Sequence, residues 1–443
     1  MNTSISHALP IAPQRVAAVR AIAHPAGAVP KRVVSATVAG NALEFYDFVT
    51  YAFFAVYIGK TFFPASTPLG SLLLSVAVFG VGFVTRPLGA AVIGSFADRV
   101  GRKPAMLLTI ALITVGTMGL ALTPSYETIG VAAPVIVVLA RLVQGLALGG
   151  EVGPSTAFLI EIAPPGRRGL YASWQIASQG AASLVAGIVG VILTALLTQQ
   201  QLHDWGWRVP FALGLALIPI ALYLRRSMPE TLEHGHGAAG EPGQMALLKQ
   251  YAGLLGLLVV LVIGGTVSTY VATYMTTYAI AVLKLPPTVS MAATVAFGLA
   301  TFVFALLGGW LGDIFGRKPT MLWSRIAVLV LTYPAFLWLT HSPSLGTLLV
   351  ATVVVGGLTG LSGAAGMAVL PEITPPRIRA LASNLTYAIG VTMFGGTTQL
   401  VITWLIEKTG SPLAPAWYVV GTSVLAAVAI TLLPETGRKE LER

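Results

Sequence analysis

GSFADRVGRKPAML, residues 94–107, returns as GWLGDIFGRKPTML, residues 309–322, 215 positions later. EIAPPGRRGLYAS (161–173) returns as EITPPRIRALASN (372–384), and MPET (228–231) is echoed by LPET (433–436). Paired stretches in the same order, at similar offsets, describe a chain built from two related halves. Between the repeats the chain is apolar. Of its 443 residues 55% are hydrophobic and 9% charged, and mean hydropathy is +0.82. That is too little charge to cover a soluble fold of this size. Apolar stretches of about 20 residues, each long enough to cross a hydrocarbon core of ~30 Å, recur throughout. The 48 glycines and 28 prolines suit helices in lipid, which tolerate both.

Walking outward from the repeats gives twelve expected helices: 33–58, 69–96, 105–123, 130–161, 171–198, 207–225, 250–282, 288–312, 320–340, 345–371, 380–406 and 413–433. The expected fold is all-α and membrane-integral, with two pseudo-symmetric six-helix bundles at 33–225 and 249–433. A polar, Gly- and Pro-rich linker, 226–248, joins them. Residues 1–32 and 434–443 read as tails; the first 30 lack the continuous apolar core of a cleaved signal. Nineteen of the 26 Lys and Arg residues fall in the tails and on one side of the expected helices, four on the other side and three within spans. The positive-inside rule therefore places both termini in the cytoplasm. It also accounts for the net charge of +10 without nucleic acid. With no cysteine, disulfides and thiolate metal sites are excluded. Gly59-Lys60-Thr61 mimics the end of a P-loop, but Phe54 stands where its first glycine belongs, so no nucleotide is expected. No motif for hydrolysis or metal binding occurs, and no enzyme, cofactor or metal is expected. Duplicated six-helix halves point to a carrier that rocks about a central site.

In the repeated loop, Gly94, Asp98, Gly101, Arg102 and Lys103 correspond to Gly309, Asp313, Gly316, Arg317 and Lys318, with Ile314 in place of Arg99. Glycines permit a tight turn and close helix approach, and the aspartates can accept from basic groups or a helix N-terminus. G-x-x-x-D-R-x-G-R-K resembles the signature loop of the major facilitator superfamily, and RLVQG (141–145) resembles its fourth-helix motif. GNALEFYDFVTY (40–51), AVFGVGFVTRPLGA (77–90), RLVQGLALGGEVG (141–153), GLYASWQIASQ (169–179) and DWGWRVPFALG (204–214) narrow the resemblance to the metabolite–proton symporter family. FYDFVTYAFFAVYIGKTFFPAS and YASWQIASQ are most similar to citrate and tricarballylate carriers. The resemblance spans residues 33–440. It implies proton-coupled uptake of a small organic anion, a di- or tricarboxylate such as citrate or tricarballylate, by a monomer in the cell inner membrane. RLVQGLALGGE and WGWRVPFALG are equally similar to 2-oxoglutarate, shikimate and proline/betaine carriers, so a zwitterion or another metabolite is the alternative substrate.

Five charged residues fall inside the first-half spans: Glu44, Asp47, Arg86, Arg141 and Glu151. A charge at the bilayer centre costs about 2.5–3.5 kcal/mol even on the lenient insertion scale, so each must meet a partner or a wet cavity. Glu44 and Asp47 share a helix face, which Tyr51 continues. Acid–arginine pairs that fix packing are the plain alternative to a functional role. An arginine fork receives carboxylates bidentately, so Arg86 and Arg141 are the expected anion receptors. Every histidine falls in a tail or loop, so the proton carrier implied by the resemblance must be a carboxylate: Asp47 first, then Glu44, then Glu151. Gln175 and Gln179 on helix five, Tyr270 and Tyr274 on helix seven and Asn384 on helix eleven are further candidate substrate contacts, with helix packing as the alternative. Arg325, near the cytoplasmic end of helix nine, is expected to snorkel to the membrane surface.

Overall fold

The computed structural model describes residues 31–100, 102–150, 155–156, 159–160, 163–226, 244–374 and 379–437. Among these there is no strand. The first half contributes α1 (Lys31–Phe53, continued after Phe54 by Ala55–Phe62), α2 (Pro68–Val84, continued after Thr85 by Arg86–Val100) and α3 (Arg102–Leu122). It continues with α4 (Ala132–Gly149), α5 (Arg168–Leu196) and α6 (Val209–Arg226). The second half contributes α7 (Ala252–Ala281), α8 (Pro287–Phe315), α9 (Arg317–His341), α10 (Leu345–Ile373), α11 (Arg379–Gly390, then Val391–Gly395 and Gly396–Thr409) and α12 (Ala414–Leu432). Nine helices among the described residues are long and apolar enough to cross a membrane.

The distribution of side chains inverts that of a soluble protein. Large apolar groups such as Val84, Leu122, Leu196, Ile220 and Trp323 are exposed, while dozens of Ser, Thr, Gln and Arg side chains are buried. Lipid solvates the exposed set, and polar groups find partners only between helices.

Two departures from straight helices have local causes. Pro87 has no N–H for the Phe83 carbonyl, so α2 breaks at Thr85. The Thr85 hydroxyl turns to Leu142 O of α4 at 2.8 Å, fixing the break against its neighbour. In α11, Val391–Gly395 forms a π-helical segment, a widened turn often found at functional sites. The halves meet along α5 and α8, where backbones touch. A Cβ built at Gly180 would fall 2.5 Å from Phe302 N, and one at Gly187 would fall 2.6 Å from Val295 N. They meet again where Gly396 of α11 crosses Gly80 and Phe83 of α2.

Candidate functional site

α1 carries Asp47 into a polar knot between three helices. Thr117 of α3 and Gln144 of α4 both donate to Asp47 Oδ2 at 2.5 Å. Gln144 Oε1 accepts from Arg141 Nη1 at 2.7 Å. Arg141 and Gln144 are three apart and so share a face of α4. Gly116 makes room for the glutamine; a Cβ there would fall 2.5 Å from Gln144 Cγ. Asp47 Oδ1 is buried and has no partner. Among the described residues no basic side chain forms an ion pair with Asp47. Its partners are a hydroxyl and an amide, and a hydroxyl serves as donor or acceptor. The knot therefore accommodates both the carboxylate and the carboxylic acid. Glu44 is buried one turn earlier on the same face.

Arg86 and Arg141 share an aromatic cage. Phe48 stands between them, with the Arg86 Cζ 4.8 Å and the Arg141 Cζ 5.2 Å from its ring centre. Phe83 lies 4.0 Å from Arg86, and Tyr51 4.6 Å and Phe79 5.2 Å from Arg141. Close packing of α2 on α4 brings the two arginines together: a Cβ at Gly82 would fall 3.1 Å from Arg141 O. Nε and Nη2 of both guanidiniums are buried without a partner. Ring faces offset part of the cost of burying a cation but satisfy no N–H. Two adjacent forks with open donors have the chemistry to bind an anion.

Beside this cage lies a cavity of about 1030 Å³, including its open mouth, between α1 and α5 of the first half and α7, α8, α9, α10 and α11 of the second. Phe48, Gln179, Tyr270 and Tyr387 line it. Tyr270 lies beside Arg86, and Tyr387 beside Gln179, whose Nε2 is buried and unpartnered.

The structure thus brings together Asp47, Glu44, Arg86, Arg141, Gln179 and Tyr270. Other expected contacts point elsewhere. Tyr51 supports Arg141, and its hydroxyl is committed to Ser75 O at 3.1 Å. Gln175 joins α5 to α1, donating to Asn41 Oδ1 at 3.0 Å. Tyr274 is bound to Thr403 at 2.7 Å. Asn384 is partly buried and does not line the cavity. Glu151 lies outside the described residues, as does Gly101; Gly94, Asp98, Arg99, Arg102 and Lys103 are described in their backbone or not at all. The expectation that Arg325 snorkels is overturned. The side chain is 1% exposed and donates to Gly264 O at 3.1 Å and Ser268 Oγ at 3.0 Å, with Gly265 leaving the facing side of α7 open to it. Sequence reading missed Thr117 and Gln144. Gln144 lies inside RLVQG and three residues from Arg141, a usable signal; Thr117 carries none.

The second copy of the repeated loop ties the halves together at the end of the bundle where α8 gives way to α9. Asp313, in the last turn of α8, accepts from the N–H groups of Gly169 and Leu170 at 2.8 and 2.9 Å. A carboxylate from one half thus satisfies orphan donors at the start of α5 in the other. Gly309 lets the helices approach: a Cβ there would fall 2.6 Å from Gly169 O. Gly316 turns the chain at φ +104°, a conformation open to glycine. Arg317 bonds Asp313 at 2.8 Å and forks onto Glu372 at 3.2 and 3.4 Å. Glu435, in the LPET echo, accepts from the N–H groups of Arg317 and Lys318 at 2.8 and 3.0 Å, and Lys318 Nζ reaches Thr431 O at 2.6 Å. Burial pushes the Glu435 carboxyl pKa up, but backbone N–H bonds from Gly437, Arg317, Lys318 and Thr436 outweigh it and hold the group below the usual glutamate range.

Helices throughout, lipid-facing apolar surfaces and a chamber shared by two halves define a multi-pass membrane carrier. Residues 33–240 match the family described as "Sugar (and other) transporter", and residues 283–442 match "Major Facilitator Superfamily". A citrate-proton symporter of Salmonella typhi is 35% identical over 397 residues, covering 89% of this chain and 92% of the relative. An alpha-ketoglutarate permease of Escherichia coli (strain K12) is 35% identical over 410 residues, covering 90% and 92%. Among solved structures, the xylose transporter XylE from E. coli, in a partially occluded inward open conformation, superposes with TM-score 0.73 at 16% identity, covering 93% of this chain and 99% of that one. The chain belongs to the major facilitator superfamily, and its twelve helices take that fold. It is a membrane transporter, not an enzyme.

Proposed function

We propose that the protein is a proton-coupled symporter that takes up a small organic anion with two or three carboxylates, citrate or tricarballylate being the leading candidates. One observation carries the reading: two caged arginines hold unpartnered N–H groups behind Phe48 and Tyr270, which line the cavity, and one of them is wired through Gln144 to a buried carboxylate. The names of the citrate and alpha-ketoglutarate relatives agree with an anionic substrate.

The mechanism follows from charge. While Asp47 is ionised, its negative charge is relayed by Gln144 to Arg141 and offsets that arginine. Protonation of Asp47 removes the offset, and Arg141, with Arg86, becomes a stronger receptor for a substrate carboxylate. Gln179 and Tyr270 complete the receptor from α5 and α7. Proton and anion thus favour each other's binding, as symport requires. Glu44 and Glu151 are the reserve carriers. The halves, 33–225 and 249–433 across a 226–248 linker, rock about this site. Links such as Asp313 to α5 hold the cytoplasmic side shut and break as it opens. Both termini face the cytoplasm across the inner membrane, the unit being the monomer. A thermal-shift screen of the purified protein against citrate, tricarballylate, 2-oxoglutarate, shikimate and betaine tests the substrate class. Stabilisation by the polycarboxylates alone is expected; stabilisation by betaine alone refutes it.

A further inference from the structure

The mechanism above leaves one buried charge unused. Arg325 of α9 spends Nη1 on Gly264 O and Ser268 Oγ of α7, while its Nε is buried without a partner. Among the described residues no carboxylate forms an ion pair with it. Neutral acceptors satisfy part of its hydrogen bonding and none of its charge. Arg325 nevertheless lines the same cavity as Gln179, Tyr270 and Tyr387.

The wall around it has little bulk. Gly265, Ser362 and Gly363 line the cavity with it. A Cβ at Gly363 would meet nothing within 4 Å, and one at Gly265 would meet only Arg325 Nη2, at 3.8 Å. A larger residue at Gly265 would pack onto the guanidinium and screen it from the cavity. Its α7 partners, Gly264 and Ser268, precede Tyr270 by six and two residues. That sets its anchor points about 3–9 Å along the helix axis from the level of Tyr270, beside Arg86. Short aliphatic dicarboxylates span a gap of this order.

We propose that Arg325 is the second-half anchor for the anion: one carboxylate sits on Arg86 and Arg141 and another on the Arg325 fork, so that the substrate bridges the two halves. This rests on the polycarboxylate reading above. Arg325 then acts as the specificity residue. A monocarboxylate leaves its charge unmet, and a zwitterion brings a cation towards it. Closure of the halves around the site becomes dependent on a substrate long enough to reach both.

Isothermal titration of the purified full-length protein with tricarballylate and with butyrate, each carried to saturation, tests the assignment. The wild type should bind tricarballylate at least about tenfold more tightly, as expected for an added charge-assisted pair. Arg325→Gln should abolish that advantage and leave butyrate affinity unchanged, whereas Arg86→Gln should weaken both ligands. Gly265→Val keeps the arginine but screens it, and should give the same selective loss; it decides the matter if Arg325→Gln does not fold. Tricarballylate affinity within twofold of wild type in both variants, or equal loss for both ligands, overturns the role of Arg325 while leaving the substrate class standing. A wild type that binds neither ligand overturns the substrate class, and this inference with it.

Discussion

Asp47→Asn removes the proposed proton site with little change in shape. An asparagine Oδ1 in place of Asp47 Oδ2 still accepts from Thr117 and Gln144, so the knot loses charge rather than its bonds. The cost to folding is then about 1–2 kcal/mol, the difference between charged and neutral acceptors. The cost to coupling is larger. A proton that no longer crosses forfeits about 1.36 kcal/mol per unit of pH gradient. The positive charge it carried forfeits about 2.3 kcal/mol per 100 mV. Under one pH unit and 100 mV these amount to about 3.7 kcal/mol, or a ~500-fold drop in the accumulation ratio. The assay is uptake of labelled substrate into proteoliposomes with both gradients imposed, paired with counterflow exchange without them. The variant should keep exchange and lose accumulation. Accumulation at the wild-type ratio would remove Asp47 as the carrier.

Arg86→Lys retains the charge but loses the planar fork and the stacking on Phe83, so substrate affinity should fall about tenfold or more; unchanged affinity in a titration would exclude Arg86 from the site. Asp313→Asn weakens the cap on α5 and should lower stability by about 1–2 kcal/mol. Because the chain has no cysteine, the thiol of a Ser173→Cys reporter should label faster in that background, and equal rates would contradict a closing role. Glu435 has a depressed folded pKa, so its contribution is complete above the ordinary glutamate value of 4.5 and vanishes as pH falls through the lower folded value. Melting temperatures of wild type and Glu435→Gln should therefore converge on acidification below pH 4.5; a gap that persists at still lower pH would contradict the assignment.

The helices were legible because lipid imposes a length and an apolarity that no other environment demands. The break at Thr85 was not read: the span 69–96 was expected as one helix, although Pro87 marks the break. Partners across the bundle were not legible. Asp47 and Gln144 are 97 residues apart, and nothing local distinguishes Thr117 from the many threonines that bond their own helix. Tyr51, Gln175 and Tyr274 show the limit of periodicity: spacing puts a polar group on a face, but whether that face meets a cavity or another helix is settled by packing. Arg325 shows it again. Its depth along α9 suggested escape to the surface, whereas the acceptors Gly264 O and Ser268 Oγ, reached past Gly265, hold it inward. Glu372 and Glu435 lay in the repeated EITPP and LPET stretches, where repetition marked them without showing what they hold.

The central claim is that anion and proton move together through this chamber. Tricarballylate or citrate added outside weakly buffered proteoliposomes, with external pH recorded, tests it most directly. The account predicts alkalinisation that begins with substrate addition and is abolished in Asp47→Asn; substrate entry with no change in pH would contradict it.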